Sequence, residues 1–259
     1  MIYYKNSYQK KITINFFFAI FFIINTVSIH SQTNSSSRDY YNWFDNIIGY
    51  ENTGIYNGIL YTEKFRTLNN NNHKFYLTSQ FTSGNIIYNG QPYYNIEMKY
   101  DIYEDLLIVK LPNHSEYFII QLINDKIDEF SINNKNFLKI SGKYEESFNE
   151  AIFGFYEISY QSKHLNLLKK HKKSRKDRIV GNFVYSQFKD EREYIIIYND
   201  RYYKINSKKY FIKLFPELKK NIDNFYSANK QLLKLDQDTF MIQLIEHISS
   251  LINNKATSH

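Results

Sequence analysis

The densest chemistry in the chain is the stretch KKHKKSRKDR, Lys169 to Arg178, which holds seven basic residues and one acid. Lys169, Lys170, Lys172, Lys173, Arg175, Lys176 and Arg178 are the candidate contact for an anionic partner. Each Lys or Arg held near an anionic membrane contributes on the order of 1 kcal/mol. The same run also reads as a solvated loop, or as an edge strand whose lysines block pairing with another chain. Its local surplus of +6 exceeds the +4 of residues 32–259, so the remainder of that stretch is slightly acidic.

Groups for bond-breaking chemistry are scattered by comparison. Five of the seven histidines, at 73, 114, 164, 171 and 247, are scattered, with no H-E-x-x-H pattern and no carboxylate spaced to complete a metal site. No G-x-S-x-G elbow or Gly-rich phosphate loop occurs. Asp236-Gln237-Asp238 lacks the Gly and distal Glu of a calcium loop, so helix capping accounts for it better. Glu145-Glu146 and Asp190-Glu191 are adjacent acids expected in loops, and paired-carboxylate hydrolysis needs two groups facing across a cleft. The absence of cysteine removes disulfides, thiolate metal sites and thiol catalysis. The sequence therefore leans away from an enzyme and calls for no cofactor and no metal.

The N-terminus has the plan of an export signal. Lys5, Lys10 and Lys11 precede the apolar run FFFAIFFII, Phe16 to Ile24, and VSIHSQ closes the segment. Residues 1–31 are expected to be a signal peptide cleaved near Ser31, the run being well short of the roughly 20 apolar residues that span a bilayer. Cleavage removes three lysines and leaves 30 basic and 26 acidic residues. The expected product is periplasmic, secreted or associated with the outer membrane, without a transmembrane span. The anionic surfaces it meets are lipid headgroups, lipopolysaccharide and acidic glycans, not nucleic acid.

The elements that must position these groups follow from hydrophobic period. Residues 32–38, QTNSSSR, are a polar leader. DYYNWFDNII spaces Tyr40, Trp43, Phe44 and Ile47 for a short helix capped by Asp39. From Ile55 onward the period is two, clearest in YNIEMKYDI, Tyr94 to Ile102. Further short runs are Leu106–Leu111, Tyr117–Ile123, Lys126–Ile132, Asn136–Ile140, Ile152–Tyr160 and Arg192–Asp200. Turn residues separate them, so the runs predict an antiparallel meander. Tyr-Asn recurs before Gly or Asp at Asn57-Gly58, Asn89-Gly90 and Asn199-Asp200. The two Asn-Gly pairs suit two-residue hairpin turns. Asn199-Asp200 matches less well and predicts a longer loop. After Ile205 the period returns to 3.6. Ser207 caps one helix, Pro216 ends it and opens the next, and Asp236 or Asp238 caps a third striped by Met241, Leu244, Ile245, Ile248, Leu251 and Ile252.

YKINSKKYFIKLFPELKKNI, Tyr203 to Ile222, together with MKYDIYED, Met98 to Asp105, resembles a group of uncharacterised exported proteins of Bacteroidota-type bacteria. The shared motifs are structural. The resemblance implies a Gram-negative envelope setting, no assigned activity and no functional residues to carry over.

The fold expected is α+β: an antiparallel β-meander forming a curved sheet or part-closed barrel over residues 39–205, with helices of residues 206–254 packed on it. The function expected is non-enzymatic binding of an envelope surface or partner protein. The alternative is carriage of an apolar, lipid-like ligand in a cavity between curved sheet and helices, and an enzyme of unknown class comes third.

Overall fold

The structure is a computed structural model describing residues 34–69, 71–112, 118–144, 147–205 and 207–256. The expected signal peptide, its cleavage point, His114 and Glu145-Glu146 lie outside the described residues. The chain divides into compact units of residues 1–40 and 41–259. Of the first unit only the opening of helix α1 (Asn34–Ile48) is described; the sheet and the other helices belong to the second. Helix α1 starts five residues before Asp39, which therefore lies inside it and not at its cap. Residues 34–38, expected as part of the leader, form its first turns. The apolar spacing read for this helix does not mark a buried face: Trp43, Phe44 and Ile47 are all exposed.

Among the described residues eleven strands build one sheet: β1 (Gly58–Leu60), β2 (Thr82–Tyr88), β3 (Gln91–Asp101), β4 (Leu106–Lys110), β5 (Ile119–Leu122), β6 (Ile127–Ile132), β7 (Lys135–Tyr144), β8 (Ser147–Tyr160), β9 (Leu165–Val180), β10 (Phe183–Tyr198) and β11 (Arg201–Ile205). Their order is β1-β5-β4-β3-β2-β6-β7-β11-β10-β9-β8, and β7 also pairs with β8. Every ladder is antiparallel except one bridge, Tyr202 with Tyr144, which brings β11 back beside β7. The sheet thus curls on itself without closing. Gly142 makes room for that return, because a Cβ there would stand 3.1 Å from the Tyr202 ring.

The alternation of Tyr94–Ile102 becomes β3, whose Ile96, Met98 and Tyr100 enter the core. Two-residue turns close three hairpins through paired positive φ angles: Asn89-Gly90 at 54° and 75°, Asn133-Asn134 at 51° and 59°, and Asn199-Asp200 at 49° and 61°. Asn199-Asp200 therefore makes the tight turn that its second residue argued against. The ladder holds Tyr198 directly against Arg201, and Asp tolerates the left-handed region well enough to follow. Asn57-Gly58 makes no hairpin: Asn57 closes a 3-10 turn at φ −79°, and Gly58 begins β1, which pairs with the distant β5.

The helices after the sheet are α2 (Lys208–Leu214), α3 (Lys219–Ala228), α4 (Lys230–Leu235) and α5 (Gln237–Ala256). Ser207 stands at the start of α2 without a side-chain cap bond, and Pro216 opens a 3-10 turn leading into α3. Asp236 caps α5, accepting from the Thr239 amide at 3.0 Å. Phe240, Leu244, Ile245 and Ile248 of α5 join Phe211, Phe215, Leu218 and Ile222 against Leu165, Leu167, Tyr194 and Ile196 of the sheet. Burial of such side chains stabilises by roughly 1.5–3 kcal/mol each, and they fill the space between helices and strands. A second, aromatic core belongs to β2–β8, where Tyr100, Phe130, Phe137 and Phe155 pack edge to face or stacked. Every buried hydrophobic side chain described lies between Tyr50 and Ile248.

Candidate functional site

The basic stretch is not a loop: it is the greater part of β9, paired with β10 along 16 residues, and beyond Lys169 its other side is a sheet edge, in keeping with the edge-strand reading. β8 accompanies β9 only as far as Lys169, and β11 accompanies β10 only as far as Tyr194. Residues 170–193 therefore continue as a two-stranded ribbon. The chain before β2 braces it from one side. The Ser186 amide donates to the Arg66 carbonyl at 2.8 Å, the Phe188 amide to Asn72 Oδ1 at 2.7 Å, and Lys173 Nζ to the His73 carbonyl at 2.6 Å. Phe188 is buried against Phe65 and Tyr103, with ring centroids at 5.7 and 5.3 Å.

Most of the positive charge is consumed inside the molecule. Alternation sends Lys169 and its cross-strand neighbour Tyr194 toward α5, where Asp238 accepts from both; the Lys169 contact is 2.7 Å. Burial opposes ionisation of Asp238, but these hydrogen bonds outweigh it and hold the carboxyl below its ordinary range. Lys170 points the other way and meets Asp105 at 2.5 Å. Asp105 also accepts from the Tyr100 hydroxyl at 2.5 Å and from the Phe155 amide at 3.3 Å. Burial pushes the Lys170 ammonium below the usual lysine range, with Asp105 pulling in the opposite sense. Lys172 pairs with Glu193 at 2.9 Å, Lys173 with Asp190 at 3.4 Å, and Arg175 with Asp177 at 3.3 Å. Arg175 also lies over the Phe65 ring at 4.6 Å. Among the described residues only Lys176 and Arg178 of the seven have no ion-pair partner, and both are exposed.

Those two cations adjoin the end of the ribbon. Gly181 (φ 60°) and Asn182 make the turn, so Val180 faces Phe183 and Ile179 faces Val184. The four side chains are exposed by 43%, 53%, 75% and 57% respectively. Successive strand residues point to opposite faces, so Val180 and Phe183 cover one side of the tip and Ile179 and Val184 the other. Arg66 adds a third cation, its guanidinium 4.4 Å from the Phe183 ring centre. The sequence pointed to the cations, and IVGNFV, residues 179–184, was not singled out. The signal available was four apolar residues around a Gly-Asn turn, directly after the basic run.

The remaining candidates for chemistry do not converge. His171 donates to Glu157 at 2.6 Å and packs edge-on against Tyr76, while His247 stacks on Phe225. Burial, before any other influence, keeps the His171 imidazole below the usual histidine value. Glu157 is held low by His171 and Lys135 despite its own burial. Glu157 is the carboxylate that the spacing around His164 and His171 failed to supply, brought in by strand pairing, and His164 is elsewhere on the surface. Asp190-Glu191 sits within β10, not in a loop. A groove of about 340 Å³ lined by Asn85, Tyr94, Glu129, Ser131 and Asn136 has Glu129 as its one carboxylate. Among the described residues no three His, Asp or Glu side chains gather as metal ligands would. No helix described is long and apolar enough to cross a membrane. Comparisons with protein-family models, with curated proteins and with solved structures return no match.

Proposed function

We propose that this chain is an exported, non-enzymatic protein that binds an anionic lipid surface through the end of the β9–β10 ribbon. One observation carries the reading. The ribbon pairs its inner cations with Asp238, Asp105, Glu193, Asp190 and Asp177, and leaves Lys176 and Arg178 free beside an uncovered apolar tip. Within the basic run, the unpaired cations are then the two beside that tip. The export pattern of residues 1–31 supports a setting in which phospholipid headgroups are at hand. Nothing favours the carrier alternative specifically, since the face of the sheet under the helices is occupied by side chains.

The test uses the chain from Gln32 onward, which retains every buried core residue described, and vesicles of phosphatidylcholine with and without phosphatidylglycerol. Binding is expected only to the anionic vesicles and to weaken steeply between low and high salt. Lys176→Gln/Arg178→Gln removes about 2 kcal/mol of attraction, roughly a 30-fold loss of binding. Lys169→Gln should leave binding unchanged, since that charge is engaged with Asp238. Binding indifferent to both salt and the double substitution refutes the proposal.

A further inference from the structure

Resting on that reading, we propose that the ribbon end is a membrane wedge: Ile179, Val180, Phe183 and Val184 enter the interfacial layer of the bilayer while Lys176, Arg178 and Arg66 stay at the level of the phosphates. The argument starts from shape. A side chain pair on one face of a strand can be covered by a flat partner. Here both faces are apolar at the same level, Val180 with Phe183 on one and Ile179 with Val184 on the other. Covering both requires a medium that surrounds the ribbon, and a lipid layer does so without a preformed slot.

Charge selects the same occupant. The cations lie behind the apolar end and not at its point: Arg178 precedes Ile179, Lys176 is two residues further back, and Arg66 rests on the Phe183 ring. The nearest acid, Asp177, already accepts from the Ser186 hydroxyl at 2.8 Å and pairs with Arg175. Apolar side chains ahead of long basic ones let the stems pass through the upper hydrocarbon while the charges remain in water and among phosphates.

Backbone polarity sets the depth. Residues 180 and 183 flank a two-residue turn and bond to each other, whereas the amides and carbonyls of 179 and 184 point outward from the ribbon. Unpaired backbone groups are costly in hydrocarbon. The wedge therefore stops where water and headgroups still reach Ile179 and Val184, and it anchors without spanning.

The experiment places a fluorophore at the tip. In the chain from Gln32, Trp43→Phe removes the single tryptophan and Phe183→Trp introduces a reporter. With phosphatidylglycerol vesicles the emission is expected to shift to the blue and to be quenched by lipids brominated near the headgroup end of the acyl chain, more than by lipids brominated near its terminus. Ile179→Ser/Val184→Ser should lower partitioning by roughly 10-fold or more while the salt dependence persists. Salt-sensitive binding with no blue shift overturns the wedge and leaves surface binding standing. No binding to anionic vesicles overturns both. A blue shift that grows with protein concentration in the absence of lipid makes a second copy the occupant, and a shift of native Trp43 with none at position 183 moves the contact to α1; either result overturns the wedge.

Discussion

Asp105→Ala should cost far more stability than its position in the β3–β4 turn suggests. Its carboxylate is the shared acceptor for the Lys170 ammonium at 2.5 Å, the Tyr100 hydroxyl at 2.5 Å and the Phe155 amide at 3.3 Å. Lys170 and Tyr100 are 5% and 1% exposed, so removal strands a buried cation and leaves the buried hydroxyl only a 3.5 Å contact with the Phe155 carbonyl. Breaking a buried pair from one side typically costs about 3–5 kcal/mol. The Asp105 side chain is itself 23% exposed, which admits some water and favours the low end, about 3 kcal/mol. With a urea slope of about 2 kcal/mol/M the denaturation midpoint falls by roughly 1.5 M. Asp105→Asn keeps an acceptor for Tyr100 and loses the charge, so it should fall between. Lys170→Met in the Asp105→Asn background should recover much of the loss, because no unpaired charge is then buried. A double-mutant cycle in urea decides the matter. A cost below about 1 kcal/mol for Asp105→Ala, or strict additivity of the two substitutions, refutes the reasoning.

Gly154→Ala should act on the same pair, because at φ 104° its Cβ would sit 1.9 Å from Asp105 Oδ2 and 2.4 Å from Lys170 Nζ; about 3 kcal/mol of stability is expected to be lost in urea denaturation. Asp200→Gly, at φ 61° in a tight turn, should stabilise by about 0.5 kcal/mol, read as a rise in midpoint. Acid should weaken the fold in two stages. His171 takes up its proton less readily when folded, so below its ordinary value of 6.5 the unfolded chain is protonated first and stability declines as pH falls toward the lower folded value. Glu157 and Asp238 contribute stability above their ordinary values of 4.5 and 3.8 that is lost as pH falls through their depressed folded values. In urea midpoints measured from pH 8 to 2, His171→Gln should remove the first stage and reduce the Glu157 share of the second, while the Asp238 share persists.

Period and turn chemistry were local facts, and the sequence carried them. The alternation of Tyr94–Ile102, the Asn89-Gly90 turn, the Pro216 break and the stripe of the last helix all became the expected elements, because each depends on residues within one or two turns of chain. Tertiary pairing decided the rest. Asn57-Gly58 had hairpin chemistry but no adjacent strand to pair with, and Asn199-Asp200 lacked the preferred glycine yet is held tight by the five-pair β10–β11 ladder that closes directly on Tyr198 and Arg201. The stripe of α1 was legible as a helix, whereas its exposure was not. The basic run is the sharpest case. Its charge could be counted along the chain, but its free charge depended on Asp105, Glu193 and Asp238, which stand 65, 21 and 69 residues from the lysines they meet. Sequence adjacency fixes how many cations lie together. Only the fold, by bringing distant carboxylates within about 3 Å of some and none to Lys176 and Arg178, determines which of them remain available to a surface.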